Sequence, residues 1–77
     1  MRRNACYIHA STVTVEGKRV RTFGLTVDGP EGRVTVEDIS TNEAFVAALC
    51  RRLNRANVSP LHLRDVVEDL FGENGIG

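Results

Sequence analysis

The chain has 77 residues and carries ten basic and ten acidic side chains, so its formal net charge is zero. A chain of this length accommodates one small domain and leaves little hydrophobic core to spare for a deep enzyme cleft. Proteins that bind nucleic acids normally show a basic excess, because phosphate neutralisation dominates their affinity. The balanced charge therefore argues against a nucleic-acid partner.

The cysteines and the N-terminal residues indicate the cellular compartment in which the protein is expected. Cys6 and Cys50 are too few for a disulfide framework and lack a zinc-finger spacing. No apolar run approaches the roughly 20 residues of a membrane-spanning helix, and Arg2-Arg3 precedes no apolar signal segment. We therefore expect a soluble, cytoplasmic protein with reduced thiols and no membrane partner.

Residues 5–39 predict a meander of three antiparallel strands, because they are rich in β-branched side chains and interrupted by glycine-containing turns. A turn at positions 17–18 would pair Glu16 with Arg19, and a loop at positions 29–32 would pair Asp28 with Arg33. Both registers place apolar residues on one face of the sheet: Ile8, Ala10, Leu25, Val27, Val34 and Val36. The opposite face is predicted to be solvated: Tyr7, His9, Ser11, Thr26, Arg33, Thr35 and Glu37.

Val13, Val15 and Val20 depart from this pattern, since they fall on the predicted solvent face near the tip of the first hairpin. This valine tip is interpreted either as a small satellite cluster on a twisted hairpin or as a contact for a partner. Basic residues flank it: Lys18, Arg19 and Arg21.

The second half of the chain predicts two helices. Ser40 and Glu43 have the spacing of a capping box, and the apolar stripe that follows ends near Ala56-Asn57: Val46, Leu49, Cys50 and Leu53. Ser59 and Pro60 suit the first positions of another helix, which Gly72 would end. Its stripe is Leu63, Val66, Val67 and Leu70, and residues 73–77 are expected to fray.

These elements predict one α+β domain of order β-β-β-α-α. The meander occupies residues 5–39 and the helices residues 41–71, with both helices packed side by side on the apolar face of the sheet.

His62, Asp65 and Asp69 share one face of the second helix, which we call the acidic helix face. A metal or acid–base site there is one hypothesis, but His9 and the two cysteines are expected elsewhere, so further ligands are lacking. A solvated surface or a docking face is the other interpretation. The same negative charge makes a DNA-reading helix-turn-helix unfavourable.

The chain lacks the sequence signatures of common catalytic sites. It contains no nucleophile elbow and no phosphate-binding loop, and Cys50 lies on an apolar stripe. We therefore predict no catalytic residue, no metal ligand and no cofactor.

Three stretches carry a family resemblance: Phe23–Val27 (FGLTV), Val36–Thr41 (VEDIST) and Asn57–Leu70 (NVSPLHLRDVVEDL). Across residues 20–71 the chain resembles a family of short uncharacterised proteins from clostridia and related Firmicutes. That family's pattern has a YGI-V strand, a DIST helix entry and a closing SP-HL-DVVEDF helix. The chain differs at Phe23, where the pattern has tyrosine, and at Leu70-Phe71. The resemblance implies a bacterial, cytoplasmic protein and transfers no activity.

The functional expectation is a small non-catalytic protein-binding or regulatory module whose partner is unknown. Its docking surface would be the acidic helix face or the valine tip. A homodimer through the valine tip, or through an unpaired edge of the first or third strand, is a further expectation. The alternatives are a mobile-element inhibitor of the anti-CRISPR type and a metal-dependent or acid–base site centred on His62.

Overall fold

The computed structural model describes the backbone of residues 3–74 and the side chains of residues 3–69. It contains three strands, β1 (Ala5–Val15), β2 (Lys18–Gly29) and β3 (Gly32–Ser40), followed by two helices, α1 (Glu43–Ala56) and α2 (Leu63–Asn74). A 3-10 turn, Pro60–His62, leads into α2. The structure confirms the predicted α+β fold and the order β-β-β-α-α. None of the described helices is long and apolar enough to cross a membrane.

The three strands form an antiparallel meander in the order β1-β2-β3. The register predicted for the second hairpin is confirmed, since Asp28 pairs with Arg33. The ladder extends one pair further, to Gly29 and Gly32, so the connection is a two-residue turn rather than a four-residue loop.

The register predicted for the first hairpin is wrong by two residues. Val15 pairs with Lys18, and the turn is formed by Glu16 and Gly17, whose φ angles are 50° and 79°. Two successive positive φ angles are typical of the tight turn that matches the twist of a hairpin. Because side chains alternate with a period of two, this shift changes each partner but leaves every residue on its predicted face.

The ladder between β2 and β3 is irregular at Gly24. Leu25 pairs with Val36, whereas Phe23 pairs with Ser40, so β3 accommodates two extra residues opposite Gly24. A Cβ atom at Gly24 would overlap the carbonyl oxygen of Val36. Glycine is therefore needed where the two backbones approach each other.

The core lies between the helices and one face of the sheet. The strands and helices contribute apolar side chains that are almost fully buried, including Cys6, Leu25, Val27, Ile39, Val46, Leu49, Cys50, Leu53, Leu63 and Val67. The opposite face is not uniformly solvated as predicted. Thr26 is buried there, and its hydroxyl lies 2.8 Å from that of Thr35, because neighbouring strands shield the centre of the sheet.

The ends of the helices differ in detail from the prediction. Asn42, not Ser40, caps α1, and its side chain accepts a hydrogen bond from the Phe45 amide at 3.2 Å. Asn57 ends α1 in a left-handed conformation, as expected. The helix α2 continues through Gly72 to Asn74, so the predicted stop at Gly72 is wrong. Residues 75–77 of the predicted frayed tail, and the side chains from Leu70 onward, lie outside the described part of the chain.

The helices cover only part of the sheet. β3 reaches no further along β2 than Phe23, and residues 10–21, which we call the hairpin arm, contain no buried residue. The two long strands thus extend beyond the core in a molecule of 46 × 26 × 19 Å.

Candidate docking surfaces

The valine tip lies at the end of the hairpin arm, on the sheet face away from the helices. Val13 and Val20 are directly paired across the two strands, which brings their side chains together. Val15 is 50% exposed. The three valines therefore form a small apolar patch that takes no part in the main core.

Basic side chains lie on both faces of the hairpin arm: Lys18 on the face of the valines, and Arg19 and Arg21 on the opposite face. Lys18, Arg19 and Arg21 are all exposed on the arm, and Glu16 in the turn is the only acidic residue among positions 10–21. The guanidinium of Arg21 lies 5.8 Å from the centre of the Phe23 ring, within cation–π range. The arm consequently combines apolar and positively charged groups.

The acidic helix face is exposed, as predicted for its three residues. His62 lies at the end of the 3-10 turn, and its Nδ1 atom is 3.0 Å from the hydroxyl of Ser59. Asp65 lies in the first turn of α2, where a negative charge interacts favourably with the helix dipole. Among the side chains described, no three histidine, cysteine or acidic residues come together as metal ligands would.

The two cysteines are neighbours in the core, although they lie 44 positions apart. The thiol of Cys50 donates a hydrogen bond to the carbonyl oxygen of Cys6 at 3.1 Å. Burial, reinforced by the nearby Cys50 thiol, raises the pKa of Cys6 to about 12. Because the thiolate is the reactive form of cysteine, Cys6 is protonated and unreactive at neutral pH. Sequence reasoning placed both residues on apolar faces and missed their proximity.

Asparagine side chains from the end of α1 cover the beginning of the β1 edge. The Cys6 amide donates to Oδ1 of Asn54 at 2.7 Å, and Nδ2 of Asn54 donates to the Cys6 carbonyl at 2.8 Å. One side-chain amide thus satisfies both backbone groups of an edge residue, as a neighbouring strand would do.

Asn57 makes a similar pair of hydrogen bonds with Asn4, two residues before Cys6. The Asn4 amide donates to Oδ1 of Asn57, and Nδ2 of Asn4 donates to the Asn57 carbonyl, both at 3.1 Å. Oδ1 of Asn4 is buried and has no hydrogen-bond partner among the described residues, since it packs against Gly29. We call Asn4, Asn54 and Asn57 the asparagine clasp.

Beyond the clasp, the edge of β1 is open. The amide and carbonyl groups of Cys6 point away from β2, towards Asn54. Because backbone groups alternate in direction along a strand, those of every second residue after Cys6 also point outward: Ile8, Ala10, Thr12 and Thr14. Within residues 3–74, no other strand pairs with this edge. Among the side chains of residues 3–69, none donates to the backbone of these four residues or accepts from it. We call these outward-facing backbone groups the open edge.

A depression lies beside the clasp, where the open edge begins. Its volume is about 450 Å³, and it is lined by Arg3, Asn4, Ala5, Asn54 and Arg55. The two arginines give it a positive charge, whereas the open edge itself runs along a strand without a charged residue from Ala5 to Val15.

No local sequence signal reveals the asparagine clasp. Asn54 and Asn57 occur in a helix and at its end, where asparagine is common. Their partners, Cys6 on β1 and Asn4 just before it, lie 48 and 53 positions away, so the hydrogen bonds of these amides depend on how the helix docks against the sheet.

The comparisons with known proteins identify the family. A model of a family of unknown function, DUF6514, matches residues 6–73, which include β2, β3 and α1 and all but one residue each of β1 and α2. Searches of the curated proteins and of the solved structures find no match. Nearly the whole described fold thus lies within the matched region, and the chain belongs to the DUF6514 family.

Proposed function

We propose that the protein is a small non-catalytic protein-binding module that docks through the valine tip. The observation that carries this proposal is the position of the three valines on a hairpin arm without a buried residue. Apolar side chains in an arm that adds little to the core are available for a partner.

The charge of the arm indicates the kind of partner. Lys18 shares the face of the valines, whereas Arg19 and Arg21 project from the opposite face of the same arm. Glu16 is the single acidic residue that opposes them in the arm. A complementary surface would present apolar groups together with aspartate or glutamate, since opposite charges steer association and disfavour wrong partners. We therefore propose an acidic protein surface as the ligand.

The acidic helix face is the second docking surface that we propose. Asp65 and Asp69 are exposed on α2, and His62 is exposed in the 3-10 turn just before it. This surface is negative where the arm is positive. A regulatory module could use the two surfaces for different partners. An inhibitor of the anti-CRISPR type is a special case of the same protein-binding function, which the neighbouring genes would distinguish. The bacterial, cytoplasmic setting implied by the sequence is part of this proposal.

Affinity capture from a native lysate of the source organism tests the proposal. The bait carries Val13→Thr, Val15→Thr and Val20→Thr, which keep the β-branched shape and remove the apolar surface. Thr12→Ala with Thr14→Ala, on the opposite face of the same arm, is the matched control. A second bait carries Asp65→Lys and Asp69→Lys.

We expect the valine variant, and not the control, to lose a partner that mass spectrometry identifies with the wild-type bait. If only the Asp65→Lys, Asp69→Lys bait loses partners, the acidic helix face is the docking surface and the valine tip is not. If both variants recover the wild-type set of partners, both proposed surfaces are wrong.

A further inference from the structure

We propose that the open edge of β1 pairs antiparallel with the open edge of a second copy of the chain, forming a continuous six-stranded sheet. This proposal is independent of the proposed function, because it uses backbone groups along one edge rather than side chains on a face. The two copies would be related by a twofold axis perpendicular to the sheet, so each edge satisfies the other.

The composition of β1 favours pairing at its edge. Exposed edge strands are normally protected by lysines or other charges, by proline, or by bulges, which prevent edge-to-edge association. β1 has none of these protections between Ala5 and Val15. Its neighbour β2, whose other edge is also bare along the arm, carries Lys18, Arg19 and Arg21 in that segment. The chain therefore protects one edge of the arm by charge and leaves the other unprotected.

The asparagine clasp limits the register of this pairing. Asn54 occupies the backbone groups of Cys6, so a second strand has access only from Ile8 onward. The longest antiparallel register that stops short of the clasp places Ile8 opposite Thr14 of the second copy and Ala10 opposite its Thr12. In this register the turn of the second copy lies opposite Cys6, where the clasp begins.

Four residue pairs then lie at hydrogen-bonding positions, and each pair exchanges two backbone bonds. Ser11 lies on the twofold axis and faces Ser11 of the second copy, at a Cα separation of about 4.5 Å for this type of pair. On the outer face, Tyr7 comes next to Val15 of the second copy, so exposed apolar surface of both chains becomes covered.

The two chains carry complementary charges at each end of the paired edge. Opposite Cys6 the second copy presents Glu16, the only acidic residue of its arm. The depression beside Cys6 is lined by Arg3 and Arg55. The basic residues of the second copy's arm begin at Lys18 on β2, one strand farther from this depression. Each end of the paired edge therefore brings a carboxylate towards two arginines, and this complementarity favours a second copy over an unrelated strand.

Sedimentation equilibrium of the purified full chain tests the proposal. We expect a monomer–dimer equilibrium for the wild type, and loss of the dimer in Ser11→Asp and in Ser11→Lys, because each variant places like charges on the twofold axis. An equimolar mixture of the two variants should regain a dimer containing one copy of each. Thr41→Asp and Thr41→Lys, at an exposed position outside the sheet, are the matched controls and should dimerise as the wild type does.

Three further variants test the edge and the register separately. Thr12→Pro removes an outward amide and leaves the bonds to β2 intact, so the dimer should disappear while the circular dichroism spectrum remains unchanged. Glu16→Lys should weaken dimerisation at least tenfold, and Arg55→Glu in the same chain should restore it. A wild type that stays monomeric at millimolar concentration, or a dimer that survives Ser11→Asp or folded Thr12→Pro, would overturn the proposal.

Discussion

The two ends of β2 experience different environments within one continuous strand. Towards its C-terminal end, Leu25 and Val27 are completely buried between the helices and the sheet. Towards its N-terminal end, Lys18, Arg19 and Arg21 are exposed on the hairpin arm. Most of the apolar burial that stabilises the fold is therefore concentrated at one end, which leaves the other end outside the core.

We expect the free energy of unfolding to depend strongly on the covered end of β2 and much less on the arm. Matched variants in the two regions test that difference, beginning with Gly24, where β3 stops covering β2.

Gly24→Ala should have the largest effect. The added methyl group would overlap the Val36 carbonyl and lie 2.8 Å from the Cα of Glu37, and backbone atoms cannot move aside as a side chain would. We expect a loss of about 3 kcal/mol or more in the free energy of unfolding, measured by urea denaturation. Gly17→Ala in the arm, where nothing lies within 4 Å, is the control and should cost only the strain of a positive φ, about 1 kcal/mol. Equal losses would show that the approach of the two backbones is unimportant.

Val27→Ala and Val15→Ala compare the two regions with the same substitution. Val27 is fully buried and Val15 is 50% exposed. Removing the two methyl groups of Val27 should cost about 2–3 kcal/mol, from lost burial and the cavity left behind, whereas Val15→Ala should change stability by less than about 0.5 kcal/mol. Urea denaturation of the monomer measures both. A loss at Val15 as large as that at Val27 would contradict the division into core and arm.

Asn54→Ala should have an intermediate effect. It removes the hydrogen bonds of 2.7 and 2.8 Å to the Cys6 amide and carbonyl, so the amide loses its partner and the carbonyl keeps only the Cys50 thiol, at a cost of about 1–2 kcal/mol. The Cys6 amide should also exchange with solvent faster than in the wild type. Arg52→Ala, an exposed change on the same helix, is the control. Unchanged exchange at Cys6 would exclude the clasp as a cover for the strand.

The pH dependence of stability should show a smaller effect, confined to alkaline solution. The pKa of Cys6 is raised to about 12 in the folded protein, against about 8.5 for an unfolded cysteine. The unfolded chain therefore loses this proton first, so the contribution to stability is full below about pH 8.5 and declines as the pH rises towards the folded value. Thermal unfolding from neutral to alkaline pH should show a steeper decline for the wild type than for Cys6→Ala. Parallel curves would mean that Cys6 does not cause the decline.

Patterns that depend on neighbouring residues were predicted well from the sequence. The alternation of apolar residues gave the face that becomes the core, and the glycines at positions 29 and 32 gave the correct register of the second hairpin. In the first hairpin, Glu16 adopts a positive φ, which its residue type disfavours, so the turn was placed one residue too late. The resulting shift of two in register preserved both faces.

Features that depend on distant contacts were not predicted. The close approach of β3 to Gly24, the proximity of Cys6 and Cys50, and the asparagine clasp all join residues that are far apart in the chain. Ser40 also has the sequence spacing of a helix cap, yet its hydroxyl accepts a hydrogen bond from the Asn42 amide. The residue that caps α1 is Asn42. Such choices are decided by how the helices pack on the sheet, which local spacing does not encode.

Residue-resolved amide hydrogen exchange in β1 tests directly whether the arm associates through its open edge, because the amides of alternate residues point to the two edges of this strand. The amides of Ser11 and Val13 face β2 and should be protected at every protein concentration. The amides of Ala10 and Thr12 face outward, and we expect them to exchange rapidly in dilute protein and to become protected as the concentration rises. Rapid exchange of these two amides at all concentrations would contradict the claim that the arm is built for association through its open edge.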